Sequence, residues 1–312
     1  MDVRDSILDC VGGTPLVALD RFAPAGPGRR RVLGKLELLN PYSVKDRPAL
    51  CMLREAERRG EIRPGRTVVL EATSGNTGIG LAMAAAVLGY ELVLCMSEAM
   101  SGERKQVLAA LGARLELTPA HLHTRGAKAR VLELLAELPD AWYARQHDNP
   151  DNRLAHVRGT AEELWEQTDG TLAAFVAGLG TCGTLTGVAS VLKPRRPELV
   201  VAGVEPAEAP YYRTGAFAPH RIPGVVPGFT PALHDARLID EIVDVPSDAA
   251  WSAVRELART EGILVGISSG ATAWAARELA ARGALPEGPV VCVLADTGQR
   301  YLSTAGLFPA EA

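Results

Sequence analysis

The chain lacks the features that mark several classes of protein. No apolar run reaches the ~18 residues of a membrane span, and the amino terminus has no apolar stretch like that of a signal peptide. The five cysteines are scattered, with no Cys-x-x-Cys pair, which favours a reduced, cytoplasmic protein over a disulfide framework. A formal net charge of −4 over 312 residues argues against nucleic-acid binding. We therefore expect a cytoplasmic protein that engages neither a membrane nor a nucleic acid.

Metal ligands are sparse as well. His121 and His123 are separated by one residue and would suit a pair of ligands, but no third ligand with supporting spacing follows them. The short basic run Arg29–Arg31 is better explained as a solvated loop than as a phosphate-binding patch. No metal site is therefore predicted.

The chain does contain a regular alternation of strand-like and helix-like segments. In its first half, buried apolar runs alternate with segments that end at a glycine, a pattern typical of strands and helices in turn. This βαβαβ order predicts a parallel sheet with helices on both faces. The predicted strands are Thr67–Glu71, Glu91–Met96 and Arg114–Thr118, and the predicted helices are Gly78–Leu88 and Glu103–Leu111.

The same alternation resumes in the second half of the chain. Pro150–Asn152 is a turn-rich boundary, and Glu205–Asp235 is an irregular stretch of the kind that often forms a functional loop. In a chain with two such α/β halves, a cofactor is expected between the halves, at the carboxyl ends of the strands. The predicted strands here are Ala173–Ala177, Leu199–Val204 and Val290–Ala295, with helices from about Leu185, over Asp248–Glu261 and over Ala271–Arg282.

Lys45 lies in the run Asn40–Arg47, which reads Asn-Pro-Tyr-Ser-Val-Lys-Asp-Arg. A lysine amine can form a Schiff base with a cofactor aldehyde. Taken alone, a lysine after a turn is most often a solvated surface charge. Its significance therefore depends on three loops further along the chain.

The first loop, Thr73–Gly78, follows a predicted strand and opens a helix. Its small residues allow a ligand to approach the backbone, and a helix N-terminus offers unpaired N–H groups and a partial positive charge. The loop therefore suits a carboxylate. The alternative is a plain strand-to-helix turn with Asn or Thr as the cap, although the hydroxyls, the amide and the two glycines exceed what a cap needs.

The second loop, Gly178–Thr184, also joins a strand to a helix and matches G-x-G-x-x-G, with Glu205 about twenty residues further on. Three interpretations are open at this point: a site for a phosphate monoester, a dinucleotide site, or a structural turn. The hydroxyls of Thr181 and Thr184 and the position in mid-chain favour the phosphate monoester, which a nest of N–H groups would bind.

The third loop, Gly266–Ala271, precedes a helix, and its Ser268 is either a helix cap or the partner of a neutral ring nitrogen. In pyridoxal phosphate (PLP), an aspartate partner would keep the ring nitrogen protonated and the ring a strong electron sink. A hydroxyl partner makes the ring a weaker electron sink, which suits β-elimination and β-replacement. Together with Lys45, the three loops provide the groups needed to hold PLP.

With these motifs in order, the chain resembles the cysteine synthase (O-acetylserine sulfhydrylase) and cystathionine β-synthase group of fold-type II PLP enzymes. The similarity extends from Gly12–Leu16 to Asp296–Thr304. It implies that Lys45 is the catalytic Schiff-base lysine, that Asn76 contacts the 3′-oxygen of PLP, and that Ser268 meets the ring nitrogen. The implied phosphate-binding residues are Gly180, Thr181, Cys182, Gly183 and Thr184, and the implied residues for the substrate carboxylate are Thr73, Ser74, Gly75, Thr77 and Gln146.

The resemblance also implies two doubly wound α/β domains with PLP in the cleft between them. Residues 1–45 would form an N-terminal segment partly packed on the large domain. Residues 46–150 would form a smaller mobile domain with the carboxylate loop, and residues 151–312 a larger domain that binds the phosphate. Met96–Arg104 resembles the family's mobile loop near the site entrance, and a homodimer is implied as well.

The implied activity is a transferase reaction of the EC 2.5.1 type, a PLP-dependent β-replacement. O-Acetylserine or O-phosphoserine would lose its β-substituent to give an aminoacrylate, to which sulfide or the sulfur of a carrier protein adds to form L-cysteine. Arg213 and Arg221, in the irregular segment, suit either an acidic co-substrate or solvent.

Several alternatives to this activity are open from the sequence. An amine or another thiol would replace the leaving group in an enzyme of the cystathionine or diaminopropionate type, and a serine/threonine dehydratase would eliminate it. The fold would also serve a binding protein without catalysis, although an intact Lys45 argues against this. The glycine-rich loop at Gly178–Thr184 leaves a nicotinamide-dependent dehydrogenase as a rival.

The chain departs from the family pattern in two places. The connection from Asn40-Pro41 to Lys45 is one residue shorter than usual, so we expect the loop before the lysine to differ in shape. Cys182 stands where many relatives carry Gly or Thr. It is either a small packing residue or a redox-sensitive thiol beside the phosphate.

Overall fold

The computed structural model describes residues 3–282 and 284–308. The first two residues of the predicted N-terminal segment lie outside the described residues, as do residue 283 and residues 309–312 of the predicted large domain. The described residues form two compact units. The first contains the residues up to Val11 together with Asn40–Asn152, and the second contains Gly12–Leu39 together with the residues from Arg153 onward. Residues 12–39 belong to the second unit because their strand Val32–Lys35 pairs with its strand Val290–Val293.

The regular elements alternate along most of the chain. The strands are β1 (Leu16–Ala18), β2 (Val32–Lys35), β3 (Val68–Ala72), β4 (Glu91–Ser97), β5 (Arg114–Thr118), β6 (Ala141–Tyr143), β7 (Ala174–Gly178), β8 (Val200–Pro206), β9 (Glu241–Val245) and β10 (Val290–Val293). The helices are α1 (Asp46–Arg58), α2 (Asn76–Leu88), α3 (Gly102–Ala110), α4 (His123–Glu137), α5 (Pro150–Ala155), α6 (Ala161–Gln167), α7 (Gly183–Arg195), α8 (Tyr211–Thr214), α9 (Ser247–Thr260) and α10 (Ile267–Ala281). A π-helical turn, His156–Thr160, joins α5 to α6.

The first unit is built on a four-stranded parallel sheet with the strand order β5-β4-β3-β6. Successive side chains of a strand point to opposite faces of the sheet. Val69, Leu92 and Leu94 accordingly pack with α1 and α2, whereas Leu70 and Val93 pack with α4. Helices therefore cover both faces of the sheet, as the βαβαβ order predicts.

The second unit is built on a six-stranded sheet with the order β1-β2-β10-β7-β8-β9. Strand β1 pairs with β2 in antiparallel fashion, and the other neighbours pair in parallel. Val176, Val204 and Cys292 of the sheet share a core with side chains of α9 and α10, while α7 contacts β7 and β8. The predicted α/β class with parallel sheets is confirmed.

The boundaries of several predicted elements move by a few residues. Helix α2 begins at Asn76, two positions before the predicted start, because the extended backbone of Gly75 places the N-cap directly after the short loop. Helix α4 is not predicted from the sequence, since its buried face includes Gly126 and Ala127, whose small side chains weaken the apolar periodicity. No helix within the described ranges has both the length and the apolar character needed to cross a membrane.

Gly270 sets how closely α9 and α10 approach each other. A Cβ at this position would overlap the carbonyl oxygen of Ala250 and lie 2.6 Å from Cγ2 of Val254. We expect Gly270→Ala to lower the stability of the holoenzyme by roughly 1–3 kcal/mol through overpacking, seen as a lower midpoint of thermal unfolding. Gly102→Ala is the matched control, because a Cβ at the exposed start of α3 meets nothing within 4 Å. Equal midpoints for the two variants would contradict the close helix contact.

Candidate active site

Lys45 ends a tight turn that leads into α1. The carboxylate of Asp46 accepts hydrogen bonds from the backbone N–H groups of Tyr42 (2.7 Å) and Ser43 (3.0 Å). The Oγ of Ser43 accepts one from the N–H of Lys45 (3.2 Å). Ser43 and Asp46 are fully buried, whereas Lys45 is half-buried. The loop before Lys45, which is one residue shorter than the family pattern, thus forms a closed turn that fixes the lysine backbone.

The Lys45 turn packs closely against α2. A Cβ built on Gly80 would lie 3.0 Å from the carbonyl oxygen of Lys45 and 3.1 Å from Oδ1 of Asp46, closer than side chains ordinarily pack. The glycine therefore lets the start of α1 approach the helix whose N-terminus carries the predicted carboxylate loop. Sequence spacing alone does not reveal this contact.

Thr73-Ser74-Gly75 forms the whole connection between β3 and α2. Thr73 donates its N–H to the carbonyl of Cys95 (3.1 Å), and its Oγ1 accepts the N–H of Gly75 (3.2 Å). Gly75 is the N-cap and has no side chain to occupy the first N–H groups of α2. Residues 73–76 are partly exposed, so this helix N-terminus is accessible to an anion such as a carboxylate.

Gln146 lies beside this loop, although 69 positions separate it from Thr77. The Oγ1 of Thr77 donates to Oε1 of Gln146 (2.6 Å), and both residues are buried. The carbonyl of Gln146 in turn accepts a hydrogen bond from Nδ2 of Asn152 (2.6 Å). The structure thus brings together two of the residues that the resemblance assigns to the substrate carboxylate.

Glu71 is a residue of this site that the sequence analysis misses. Its side chain is buried at the end of β3, with Oε1 accepting the N–H of Ala72 (2.9 Å) and Oε2 accepting the N–H of Gln146 (3.1 Å). Burial raises the pKa of this carboxyl to about 7, although the two backbone hydrogen bonds and the charge of Lys128 oppose the rise. A signal was present in the sequence, since Glu71 is the charged residue of an otherwise apolar strand.

His147, next to Gln146, is a second residue that the motifs do not indicate. Burial lowers the pKa of its imidazole to about 4, and the positive charges of Lys128 and Lys45 lower it further, against the opposing effect of Asp148. The ring is therefore neutral at pH 7. The first unit consequently places an uncharged imidazole within the electrostatic reach of Lys45.

In the second unit, Leu179–Cys182 connects β7 to α7. Cys182 is the N-cap and takes a left-handed backbone, with φ 65°, and Thr181 Oγ1 accepts the N–H of Gly183 (3.4 Å). A Cβ on Gly180 would overlap the carbonyl oxygen of Gly224, so glycine is required at this position. The result is a glycine-lined turn at the N-terminus of a 13-residue helix, an arrangement suited to a phosphate dianion.

Cys182 is 2% exposed, and its side chain points towards the irregular segment of the second unit. Its Sγ lies 3.6 Å from the hydroxyl of Tyr212 and 3.9 Å from the carbonyl of Gly180, and the Tyr212 hydroxyl donates to that same carbonyl (3.4 Å). These contacts and the burial support the packing interpretation of Cys182 over that of an exposed redox thiol.

His156 supports the other end of the glycine-rich loop Gly178–Thr184. Its imidazole is fully buried at the start of the π-helical turn, with Nε2 3.1 Å from Oγ1 of Thr184 and Nδ1 2.9 Å from Oγ1 of Thr160. The Thr184 hydroxyl is thereby held in one orientation. No local sequence motif marks His156, which lies 28 positions before its partner Thr184.

Ser268 lies in the first turn of α10, after the extended backbone of Gly266. The neighbouring Ser269 is fully buried, and its Oγ accepts the N–H of Ala295 (2.8 Å). Within the described part of the chain no hydrogen bond engages the half-buried Ser268 hydroxyl. Ser268 is therefore available to a ligand, while Ser269 has a structural role.

Arg213 and Arg221 both have partners within the second unit. Arg213 pairs with Asp244 (2.6 Å), and Arg221 pairs with Asp248 (2.5 Å) and lies over the ring of Trp251. The two distances place both arginines in surface ion pairs. This supports the solvent-exposed interpretation over a contact with an acidic co-substrate.

The residues present fit PLP. The first unit offers a half-buried lysine on a fixed backbone and a helix N-terminus that suits an anion. The second unit offers a glycine-lined turn that suits a phosphate, in which a Cβ at Gly180 would overlap the carbonyl oxygen of Gly224, together with the hydroxyl of Ser268. These are the groups that a cofactor with an aldehyde, a phosphate and a ring nitrogen requires.

Comparison with known proteins agrees with this fit. The model of the family described as "Pyridoxal-phosphate dependent enzyme" matches residues 7–296. A probable cysteine synthase of Bacillus subtilis is 44% identical over 300 residues, which cover 95% of each chain. An O-ureido-L-serine synthase of Streptomyces lavendulae is 44% identical over 307 residues, covering 97% of this chain and 93% of that one. The crystal structure of O-acetylserine sulfhydrylase isoform 3 from Entamoeba histolytica superposes with a TM-score of 0.93 at 38% identity, covering 99% of this chain and 93% of that one.

The chain therefore belongs to the pyridoxal-phosphate dependent enzyme family, in its cysteine synthase branch. The predicted family, the fold-type II class and the PLP cofactor are confirmed. The chain is a PLP-dependent transferase of the EC 2.5.1 type that carries out β-replacement. This outcome removes the dinucleotide interpretation of the glycine-rich loop at Gly178–Thr184.

The buried carboxyl of Glu71 predicts a specific pH dependence of stability. The pKa of Glu71 in the folded protein lies above the ordinary value of 4.5. The neutral carboxyl therefore contributes fully to the free energy of unfolding below about pH 4.5, and this contribution is lost as the pH rises through about 7. We expect the thermal midpoint of the holoenzyme to fall relative to that of Glu71→Gln between about pH 5 and about pH 8. The exposed Glu103→Gln serves as the control for removing a carboxylate. Parallel pH curves for the wild type and Glu71→Gln would contradict the assignment.

Proposed function

We propose that the chain forms L-cysteine by replacing the leaving group of an activated L-serine, O-acetylserine or O-phosphoserine, with sulfide. The observation that carries the proposal is the anion-binding turn Thr73–Thr77, whose Thr77 is fixed to Gln146, in the same unit as Lys45. Such an arrangement orients an α-amino acid by its carboxylate. The names of the relatives from Bacillus subtilis and Entamoeba histolytica support the same product.

Lys45 provides the amine that holds the cofactor aldehyde and later moves a proton. When bound, PLP supplies the electron sink for the negative charge that develops at the substrate α-carbon. Once the substrate amine had taken its place, the Lys45 amine would be free to remove the proton from Cα and to return it after replacement. The closed turn around Asp46 and Ser43 keeps the lysine backbone in place during both transfers.

The carboxylate of the substrate is oriented by the first unit. In this proposal Thr73, Ser74, Gly75 and Thr77 contribute hydroxyl and N–H donors at the start of α2, and Gln146 completes the set. Asn76, the first residue of α2, would contact the 3′-oxygen of the cofactor. The loop excludes water from the bound substrate, which protects the reactive product of β-elimination from hydrolysis.

The phosphate and the ring nitrogen of the cofactor are held by the second unit. Gly180, Thr181, Cys182, Gly183 and Thr184 form the phosphate cradle, and His156 fixes the hydroxyl of Thr184. The hydroxyl of Ser268 would be the partner of the ring nitrogen. A hydroxyl in that place would make the cofactor a weaker electron sink than an aspartate partner would, which suits replacement at the β-carbon.

A second candidate function is β-replacement by a nucleophile other than sulfide. The Streptomyces lavendulae relative carries the name O-ureido-L-serine synthase, at an identity equal to that of the Bacillus subtilis relative. Its named product bears an oxygen-linked group on the β-carbon of serine. Sequence identity alone therefore does not separate a sulfur nucleophile from an oxygen nucleophile for this chain.

We further propose that the protein is a cytoplasmic homodimer whose partners are the amino-acid substrate and a sulfur source, either free sulfide or a sulfur-carrier protein. Three of its five cysteines, at positions 95, 182 and 292, are buried, as suits a reducing compartment. Light scattering on the purified holoenzyme tests the dimer directly.

Lys45→Ala tests the central role of the lysine. We expect the purified wild-type holoenzyme to be yellow, and the variant to lose that absorbance and at least roughly 10³-fold in kcat for cysteine formation, because it lacks both the cofactor-binding amine and the base. Lys193→Ala is the control, since its surface ion pair with Asp240 contributes little to stability.

Two results would count against this proposal. One is a wild-type protein that stays colourless after PLP is added, and the other is a Lys45→Ala variant with normal turnover. Titration of the holoenzyme with O-acetylserine, O-phosphoserine and serine, followed by absorbance, identifies the leaving group by the compound that changes the spectrum.

A further inference from the structure

Tyr212, in the irregular segment of the second unit, contacts the glycine-rich loop Gly178–Thr184. Its hydroxyl donates to the carbonyl oxygen of Gly180 (3.4 Å) and lies 3.6 Å from Sγ of Cys182. Gly180 and Cys182 both belong to the loop that is proposed to bind the phosphate of PLP. No step of the proposed reaction uses Tyr212, so these contacts indicate a role in shaping the loop.

The parallel pairing of β7 with β8 brings Tyr212 to the loop. Gly178, the last residue of β7, lies opposite Val204, so the chain that leaves β8 runs beside the loop that follows β7. Glu205 comes next and is fully buried. Its carboxylate accepts the N–H groups of Tyr212 (2.7 Å) and Arg213 (3.3 Å) in α8. One buried side chain therefore fixes the backbone of Tyr212 next to the loop.

The ring of Tyr212 is confined as well. The imidazole of His234 lies against it, with the ring centroids 5.0 Å apart, and the ring of Tyr211 contacts it edge to face at 5.6 Å. Burial raises the pKa of the Tyr212 phenol, and the neighbouring Cys182 raises this pKa further. The hydroxyl therefore keeps its proton at neutral pH and remains a donor.

The carbonyl that Tyr212 holds determines where the next N–H group points. A trans peptide group is planar, with its C=O and N–H on opposite sides, so the N–H of Thr181 is directed away from Tyr212. A rotation of the peptide between Gly180 and Thr181 would exchange these directions and turn a carbonyl oxygen towards a bound anion. Glycine permits such a rotation because it lacks a Cβ. The hydrogen bond from Tyr212 opposes it.

Other carbonyl groups of the loop are held in a similar way, but by the main chain or by α7. The carbonyl of Leu179 accepts the N–H of Val226 (2.8 Å). The carbonyl of Cys182 accepts the N–H (3.0 Å) and the hydroxyl (2.9 Å) of Thr186. A loop whose carbonyl oxygens are engaged in this way is able to direct its N–H groups towards an anion. The Gly180 carbonyl differs because its donor is a side chain from a distant segment, which a substitution removes.

We propose that Tyr212 is a positioning residue for the cofactor phosphate, which holds the Gly180 carbonyl so that the N–H of Thr181 faces the anion. This inference rests on the part of the proposed function in which the loop Gly178–Thr184 binds the phosphate of PLP. Tyr212 acts through the loop and does not itself bind the cofactor. Its effect should therefore appear with a ligand that carries a phosphate and be absent with a ligand that lacks one.

The test compares PLP with pyridoxal, which has the same aldehyde and ring but no phosphate. The full-length chain is freed of cofactor, and the dissociation constant of each ligand is measured by absorbance. In Tyr212→Phe, the constant for PLP should rise about fivefold, the loss expected for one neutral hydrogen bond, while the constant for pyridoxal stays unchanged. Tyr211→Phe is the matched control, because no hydrogen bond engages the Tyr211 hydroxyl in the part of the chain that the structure describes.

A second readout separates positioning from a general loss of structure. With PLP at saturating concentration, kcat and KM for O-acetyl-L-serine in Tyr212→Phe should stay within about twofold of the wild type, because only the affinity for the phosphate changes. Damage to the fold would weaken the binding of both PLP and pyridoxal and would lower kcat even at saturating PLP. That result would overturn the role of Tyr212.

The remaining outcomes distinguish this inference from the proposed function. An unchanged PLP constant in Tyr212→Phe, or an equal rise in Tyr211→Phe, overturns the role of the Tyr212 hydroxyl, and cysteine formation by the same preparations then leaves the proposed function intact. A PLP-loaded enzyme that makes no cysteine, but still shows the phosphate-dependent loss in Tyr212→Phe, overturns the proposed function and supports the role of Tyr212. A wild-type chain that binds PLP no more tightly than pyridoxal contradicts the phosphate assignment of the loop, and the role of Tyr212 fails with it.

Discussion

The burial of a carboxyl group at the end of β3 is the constraint on which the first unit's site depends. Glu71 has no solvent to stabilise its charge, so its oxygens take the backbone N–H groups of Ala72 and Gln146. The hydrogen bond from Gln146 joins the strand before the Thr73 loop to the segment that follows β6. Since Gln146 also receives the hydroxyl of Thr77, one buried group aligns two segments that are distant in sequence.

The two units share one local arrangement, which is suited to an anion. In each, a buried parallel strand ends in a connection of three or four residues, and a 13-residue helix begins directly afterwards. The helix N-terminus then presents its N–H groups at the edge of the sheet. Support comes from buried side chains that contact the loop from elsewhere in the chain, Gln146 in the first unit and His156 in the second.

The motifs could be predicted from the sequence because their chemistry is local. The loops that begin at Thr73 and Gly178, and the turn at Lys45, are runs of small or polar residues between periodic segments, and the structure places each one between a strand and a helix or at a helix start. Glu71, His147 and His156 could not be found in this way, since their roles depend on partners brought near by strand pairing and helix packing. Helix α4 was not predicted because small buried residues weaken its apolar period.

The contact between Gly180 and the carbonyl of Gly224 has an evolutionary consequence. Gly224 belongs to a segment with little regular structure, which would ordinarily tolerate insertions and substitutions freely. Here its main chain forms the wall behind the glycine-rich turn, so a shift of this segment would either open the turn or collide with it. Homologues that lengthen the segment or reshape it near Gly224 should therefore carry compensating changes around Gly180, and the two regions should diverge together.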